Sequence, residues 1–245
     1  MRWEDEGLVI GARLHGENGL IVHVLTPGHG RRAGMVYGGA SRTKRALFEP
    51  GNTLRLAWEA RSEDALGWFS VSEELNARAA RVLEEPTRLS AIASISALLR
   101  EALQEGDEHA GLYEATVLTL DEVVSGEVWP ALYVRWEIGM LGAFGFGLDL
   151  KRCAISGAND GLTHVSPRTG RAVTASAAED YLDRLLPLPG FLIGRGGVPT
   201  PEDIAHGLRL TGHFLEHRLF AEVHRPVPEA RYRLLERLAA DGLAN

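Results

Sequence analysis

The first 75 residues alternate short hydrophobic runs with clusters of turn residues such as Ser62-Glu63-Asp64. In the fourth run, Leu54, Leu56 and Trp58 occupy every second position, which is the period of a strand with one buried face. Five runs have the character of strands: GLVIGARL, LIVHVLT, RAGMVYG, TLRLAWEA and LGWFSVS. Short strands at this regular spacing predict a small barrel or sandwich.

From about residue 74 onward, hydrophobic residues recur at helical spacing. Leu89, Ile92 and Ile95 follow one another at every third position, as on one face of a helix. Proline at the first helical position loses no hydrogen bond, so Trp129-Pro130 and Thr200-Pro201 mark two further helix starts. The predicted helices are a segment that opens at Pro86 and residues 109–125, 129–146, 176–186, 201–220 and 228–241.

Two segments break the helical pattern. Residues 147–175 are rich in turn residues and predict a loop-rich insert, and the glycine-rich residues 190–197 predict a connector to the next helix. The chain is therefore expected to be an α+β multidomain protein with four segments. These are a five-stranded barrel at 1–75, a helical domain at 76–146, the insert at 147–177 and the rest of the helical domain at 178–245.

Cysteine content and hydropathy indicate the compartment. Cys153 is the only cysteine, so no internal disulfide forms, and the chain fits a reducing compartment. No apolar run approaches the roughly 18 residues of a membrane span. We therefore expect a cytoplasmic protein with no membrane partner.

The charge is unevenly distributed along the chain. The net charge of −7 taken alone argues against a partner as acidic as DNA. Residues 77–150 carry 5 bases and 12 acids, however, whereas residues 18–48 carry no acid at all. The bases of this acid-free stretch are Arg31, Arg32, Arg42, Lys44 and Arg45.

Most catalytic motifs are missing from the sequence. The only lysines are Lys44 and Lys151, and neither belongs to a phosphate-binding loop of the GxxxxGK[ST] type. One spacing, His213 with Glu216 and His217, matches the H-x-x-E-H pattern of a zinc hydrolase. A further ligand would have to come from the short remaining C-terminal segment, so surface or ion-paired histidines are the favoured interpretation.

The acid-free stretch has the composition of a nucleic-acid groove. Arginines that neutralise phosphates and an aromatic residue that stacks on bases are typical of single-strand binding on small barrels. Here two arginines open the third strand, Tyr37 closes it, and three further bases follow a flexible glycine pair. Two alternatives remain: a solvated loop whose bases pair with acids such as Glu4, Asp5 and Glu6, or a barrel that binds only protein.

A family resemblance runs through nearly the whole chain. The sequence resembles the bacterial RecO family of recombination mediators at GLVI (7–10), LHGENGLIV (14–22), LTPGHG (25–30), GGASRT (38–43), LFEPGN (47–52), LDLKRC (148–153), SPRTGRAV (166–173) and FLEHRL (214–219).

This resemblance implies an N-terminal OB-fold barrel followed by a helical domain with a small inserted module. It implies a non-enzymatic protein, with no catalytic residue and no cofactor. Such proteins bind single- and double-stranded DNA, anneal complementary strands and, with RecR, help load RecA onto DNA coated by single-strand-binding protein. The resemblance favours DNA contact by Arg31, Arg32, Arg42, Lys44 and Arg45, with Tyr37 as a weaker stacking candidate.

The insert departs from the family pattern. Many relatives bind zinc there through two C-x-x-C pairs, and the corresponding positions here are Cys153, Ser156, Thr174 and Ala177. A structural zinc site requires four cysteine or histidine ligands, and His164 would add only a second. We therefore expect no zinc, with Ser156 and Thr174 linking the ends of the insert instead.

A second binding site is expected around Arg135. It is the only base between Arg100 and Lys151, and Tyr133 and Trp136 flank it. In the family picture, the tail of single-strand-binding protein is acidic and ends in apolar residues. An arginine beside an apolar groove suits such a tail, although an ordinary ion pair with Glu137 or Asp149 is the simpler alternative.

Overall fold

The computed structural model describes residues 1–62, 65–109 and 111–245, so Glu63 and Asp64 of the expected Ser62 turn lie outside the described residues. The strands are β1 (Arg2–His15), β2 (Gly19–Thr26), β3 (Gly30–Val36), β4 (Thr53–Glu59), β5 (Gly67–Asn76), β6 (Leu162–Val165), β7 (Ala172–Thr174) and β8 (Leu186–Pro187). The α-helices are α1 (Arg42–Arg45), α2 (Arg78–Arg81), α3 (Pro86–Ala102), α4 (Leu112–Ser125), α5 (Trp129–Ala143), α6 (Pro201–Phe214), α7 (Phe220–Glu222) and α8 (Glu229–Ala240).

The first five strands form a closed barrel in the order β1-β2-β3-β5-β4. Strand β1 pairs with β4 through its first half and with β2 through its second half, and its register shifts between Val9 and Gly11. Strand β1 thereby takes part in two neighbouring pairings of the barrel. The prediction of an α+β protein with an N-terminal five-stranded barrel is confirmed.

Close backbone approach closes the barrel between β3 and β5. These strands run parallel and pair only at Gly34–Gly67 and Met35–Trp68. A Cβ atom on Gly34 would lie 2.6 Å from the Phe69 ring, and one on Gly67 would lie 2.4 Å from the Trp58 indole. Only glycine fits at both positions, because these aromatic rings fill the barrel core beside them.

Two compact units divide the chain. The first comprises residues 1–125 and 228–234, and the second comprises residues 126–227 and 235–245. In the first unit, α3 packs on β1 and α4, and α2 packs on α4. The first unit thus extends well beyond the predicted barrel segment, because α3 buries its apolar face, with Ile92 and Ile95, in the same unit.

A buried arginine links the barrel to a helix within the first unit. Arg78 of α2 donates from Nε to Asp121 Oδ1 of α4 (2.7 Å) and from Nη1 to the Thr53 hydroxyl (2.7 Å) and the Gly51 carbonyl (3.1 Å). These partners satisfy the guanidinium at a site where its charge would otherwise be costly to bury.

The second unit is mainly helical and contains a small sheet. Helices α5 and α6 pack together, and β7-β6-β8 form a three-stranded sheet. Thr200 caps α6 by accepting from the Asp203 N–H, and the Asp203 carboxylate accepts in return from the Thr200 N–H. A π-helical segment, Leu215–Leu219, joins α6 to α7. None of the helices in the described residues has the length and apolar character needed to cross a membrane.

The structure corrects two local predictions. The predicted helix at 176–186 is a short 3₁₀ helix, Glu179–Arg184, and the predicted loop-rich insert contains β6 and β7. Two further 3₁₀ helices are Ala46–Phe48, which follows α1, and Gly190–Ile193, at the start of the connector. The strands were missed because two to four residues are too few for a period-2 pattern to emerge.

Candidate nucleic-acid interface

The three bases nearest the glycine pair form a short exposed helix. Arg42, Lys44 and Arg45 lie on α1, which has no buried residue and connects the barrel strands β3 and β4. Tyr37 lies just before it, at the end of β3, with 69% of its surface exposed. The structure therefore brings an accessible aromatic ring and three exposed positive charges onto one connection of the barrel.

Arg31 and Arg32 have different surroundings. Arg31 is half-buried on β3 and donates from Nη1 to the Leu103 carbonyl (2.6 Å). Arg32 is only 9% exposed, donates from Nε to the His29 carbonyl (3.1 Å) and lies over the Trp58 ring at 5.8 Å. The six predicted contact residues thus divide into four exposed ones and two that pack within the first unit.

Acids distant in sequence surround this part of β3. The loop after α3 places the Glu105 carboxylate on the Ala33 N–H (2.6 Å), and the Gly106 N–H donates to the Arg31 carbonyl (2.8 Å). The backbone of Asp107 also approaches Gly30 closely, because a Cβ atom on Gly30 would lie only 2.1 Å from the Asp107 carbonyl oxygen. The stretch that is acid-free in sequence is therefore not acid-free in space, because a loop about seventy residues away covers β3.

Two basic residues that sequence reasoning missed join Arg45 at a groove in the first unit. Arg13 of β1, Arg100 of α3 and Arg45 line a cavity of about 310 Å³, together with one carboxylate-bearing residue, Glu49. The signal available in the sequence was weak, because Arg13 and Arg100 lie in otherwise neutral or acidic neighbourhoods.

His23 lies half-buried among arginines of the barrel and α3. It pairs with Gly11 across β1 and β2. Its pKa is lowered to about 4. Burial is the largest cause, and repulsion from Arg31, Arg100 and Arg13 adds to it, while Glu101 acts in the opposite direction. Its imidazole is therefore neutral at physiological pH, and the positive charge comes from the arginines.

Arg135 lines an apolar cavity in the second unit. The cavity has a volume of about 310 Å³, and its lining includes Val128, Leu132, Phe191 and Pro199. The Arg135 guanidinium donates to the Phe191 carbonyl and lies 5.9 Å from the Phe191 ring centroid.

The residues that flank Arg135 in the sequence do not share its exposure. Tyr133 and Trp136 are buried, so they are not the exposed aromatic neighbours of Arg135 that the sequence suggested. The sequence offered Glu137 and Asp149 as ion-pair partners of Arg135. In the structure Glu137 is buried, and Asp149 forms an ion pair with Arg171 at 3.5 Å.

The single cysteine of the insert joins its two ends through hydrogen bonds. Cys153, 2% exposed, accepts at Sγ from the N–H groups of Ser156 and Thr174, both at 3.4 Å. Burial raises the pKa of Cys153, but hydrogen bonds from Ser156, Thr174 and Ile155 outweigh it and lower the pKa to about 6. Thr174 also accepts at Oγ1 from the Ala177 N–H (3.3 Å).

This arrangement differs from the expected link and does not fit zinc. The two ends of the insert meet through Cys153 and Thr174 rather than through Ser156 and Thr174. One thiolate, two hydroxyls and an alanine do not make a tetrahedral zinc site, and the Cys153 sulfur is already occupied by backbone donors.

The H-x-x-E-H residues lie where α6 passes into the π-helical segment. The His213 and His217 rings stack at 4.4 Å. His213 Nε2 contacts the Pro167 carbonyl (3.2 Å), and His217 Nδ1 contacts the His213 carbonyl (3.0 Å). Within the described parts of the chain, no group of three or more histidine, cysteine or acidic side chains is placed to hold a metal ion.

Comparison with known proteins identifies the family. The family model described as Recombination protein O N terminal matches residues 1–78, and the one described as Recombination protein O C terminal matches residues 83–226. A protein of Hyphomonas neptunium named DNA repair protein RecO is 59% identical over 239 residues, which cover 97% of this chain and 98% of the relative. A protein with the same name from Rhodospirillum centenum is 49% identical, and the match covers 97% of this chain and 94% of the relative. One from Methylorubrum extorquens is 46% identical, and the match covers 96% of this chain and 97% of the relative. The chain belongs to the RecO family.

Proposed function

We propose that this protein is a recombination mediator in DNA repair. It binds single- and double-stranded DNA, anneals complementary strands and, with RecR, helps load RecA onto DNA coated by single-strand-binding protein. The proposal places it in the cytoplasm at the nucleoid and assigns it no catalytic residue and no cofactor. The family membership supports the repair role, and the geometry of α1 supports DNA contact.

The exposure of helix α1 is the main support for the proposal. Its three bases, Arg42, Lys44 and Arg45, project from the connection between β3 and β4 without a buried residue among them. Flexible exposed cations neutralise phosphates and release counterions from DNA. Tyr37, exposed next to them, offers a ring on which a base stacks. Arg31 and Arg32 belong to the proposed contact set only if DNA displaces their present partners.

A second surface fits the tail of single-strand-binding protein. Arg135 presents a positive charge at one side of an apolar cavity, and such a pairing suits a peptide whose acidic residues precede an apolar end. The neighbouring cavity of about 110 Å³, lined by Val198, Ile204 and Leu243 among others, extends the apolar surface. Both cavities lie within the second unit.

Salt-dependent binding of a labelled oligonucleotide tests the proposal. The test variant replaces Arg42, Lys44 and Arg45 with alanine, and the control variant replaces Arg2, Arg61 and Arg81, three exposed bases of the same unit. Each lost phosphate contact lowers the log–log salt slope by about 0.7 for single strands. We expect the slope to fall by about 2 in the test variant and to stay unchanged in the control.

The same samples test annealing and the partners. We expect the α1 variant to anneal complementary oligonucleotides more slowly and to support less RecR-dependent loading of RecA on coated DNA than the control. Wild-type protein that binds no oligonucleotide at low salt would contradict the proposal and favour a barrel that binds only protein.

The alternative of a metal-dependent hydrolase has weak geometric support. One ring nitrogen of His213 and one of His217 are each within hydrogen-bond distance of a backbone carbonyl, and the two rings stack on each other. A catalytic zinc site needs three ligands aimed at one point. No specific observation favours this function over DNA binding.

A further inference from the structure

A basic groove in the first unit begins at Arg45 of α1 and extends to residues outside that helix. Three arginines line it from three different elements: Arg13 from β1, Arg45 from α1 and Arg100 from α3. Apolar and backbone groups of residues 11–14 and 48–50 form most of the remaining wall. Arginine guanidinium groups that converge from separate elements are the usual means of binding phosphate, because each presents several donors in a plane.

Gly11 gives Arg100 its position in this groove. A Cβ atom on Gly11 would lie 3.0 Å from Arg100 Nη1 and 3.1 Å from Arg100 Cδ. The guanidinium therefore lies directly over the backbone of β1, close to the register shift between Val9 and Gly11. Shifts of this kind alter the direction of neighbouring side chains. Arg13 follows two positions later on the same strand face as Gly11.

The acids near the groove leave a positive excess. Glu49 is the one acidic residue among those lining the cavity. Glu101 accepts from Arg100 Nε at 3.1 Å, and both side chains of this pair are partly exposed. Exposed pairs of this kind are weak, so the Arg100 Nη groups keep their capacity to donate to a ligand.

The groove is large enough to hold a small ligand. Its volume of about 310 Å³ is at the lower end of the range of about 300–1,000 Å³ for small-ligand sites. The position of Arg45, which belongs both to the groove and to α1, makes the groove continuous with the proposed DNA surface.

We propose that this groove binds an internal phosphate of the DNA strand, with Arg13 and Arg100 as the donors that extend the contact beyond α1. This inference rests on the proposed function and deepens it. The strand would run from α1 past Arg45 into the groove, so that the binding site includes a helix outside the barrel strands, α3. An unattached or terminal phosphate shares the chemistry, and the experiment distinguishes these sources.

The test compares two variants of the full chain with a matched control. Arg13→Ala/Arg100→Ala removes both donors and leaves all three bases of α1 in place. Gly11→Leu keeps every charge but places a side chain where the Arg100 guanidinium lies. Arg2→Ala/Arg61→Ala removes two exposed bases outside the groove. Circular dichroism first establishes that each variant is folded.

Binding is measured by fluorescence anisotropy over a salt series with one oligonucleotide in two forms, with and without a 5′-phosphate. For the double-arginine variant we expect the salt slope to fall by about 1.4 and the affinity at 0.1 M salt to fall about 25-fold, at about 0.7 per lost contact. Gly11→Leu is expected to lose affinity in the same direction. Both forms of the oligonucleotide should behave alike.

Three results would overturn the groove without affecting the proposed function: a double-arginine variant that binds like its control, a Gly11→Leu variant that is folded and binds like wild type, or a loss confined to the 5′-phosphorylated oligonucleotide. If Gly11→Leu does not fold, the double-arginine variant decides the question. Wild-type protein that binds neither form would instead overturn the proposed function and the groove with it.

Discussion

At the scale of single residues, both burial and nearby arginines hold His23 in its neutral form. Its pKa, lowered to about 4 by burial and by Arg31, Arg100 and Arg13, is below the value of about 6.5 of an unfolded chain. Below pH 6.5 the unfolded chain takes up a proton at this position that the folded protein does not. The stabilisation from neutral His23 is therefore complete above pH 6.5 and is lost as the pH falls towards 4.

Replacing Arg100 should move this titration. In Arg100→Gln, one repulsive charge near His23 is gone, and we expect the pKa of His23 to rise towards its ordinary value. Proton NMR of the histidine rings over a pH series measures it, with Arg61→Ala as a control that removes an exposed charge elsewhere in the unit. An unchanged His23 titration in Arg100→Gln would mean that Arg100 does not contribute and that burial with Arg31 and Arg13 accounts for the lowered pKa.

At the scale of elements, the insert is held together by hydrogen bonds to a single sulfur. Cys153 Sγ accepts two backbone N–H groups, from Ser156 and Thr174. The Thr174 hydroxyl then accepts from the Ala177 N–H. Strands β6 and β7 supply the remaining support through their pairing.

The stability that Cys153 supplies should depend on pH. Its pKa in the folded protein is about 6, below that of an unfolded thiol, about 8.5. The stabilisation by the thiolate is thus fully present above about pH 8.5 and is lost as the pH falls towards 6. We expect the free energy of unfolding of wild type, relative to Cys153→Ala, to increase between pH 6 and pH 8.5.

Urea denaturation at several pH values measures this difference. At pH 8.5 the alanine variant should be less stable by at least the roughly 1 kcal/mol of a lost hydrogen bond. Thr169→Ala, in the turn between β6 and β7, is a control without a thiol. A difference between wild type and Cys153→Ala that does not vary with pH would contradict the thiolate. Added zinc should leave the wild-type midpoint unchanged.

At the scale of the whole molecule, the sequence predicted what depends on local periodicity and missed what depends on distant contacts. Alternation such as that of Leu54, Leu56 and Trp58 predicted the strands of the barrel, because one face of each strand is buried in its core. The burial of Arg32 was not predictable, because Trp58 and the loop at 103–108 reach it only through the fold. Arg100 was missed for the same reason, since its closeness to Gly11 depends on how α3 packs on β1.

The division into two units predicts that the two proposed binding activities are separable. The α1 bases lie in the first unit and Arg135 lies in the second, and substitutions without shared partners act independently. The alanine variant of Arg42, Lys44 and Arg45 should lose oligonucleotide affinity but bind an acidic peptide with an apolar C-terminal end as wild type does. Arg135→Ala should show the reverse pattern, with a peptide affinity reduced about tenfold or more, as expected for one charge-assisted contact.

Anisotropy titrations of both ligands on both variants and on their combination complete the comparison. Arg209→Ala is the matched control in the second unit, because Arg209 is an exposed base of α6 that is not among the residues lining either cavity. Independent losses in the combined variant would mean that DNA and the peptide are bound by different surfaces. The proposed mediator role requires this, since such a protein would hold single-strand-binding protein and the DNA that it covers. Loss of peptide binding in the α1 variant would instead mean that both ligands compete for one basic surface.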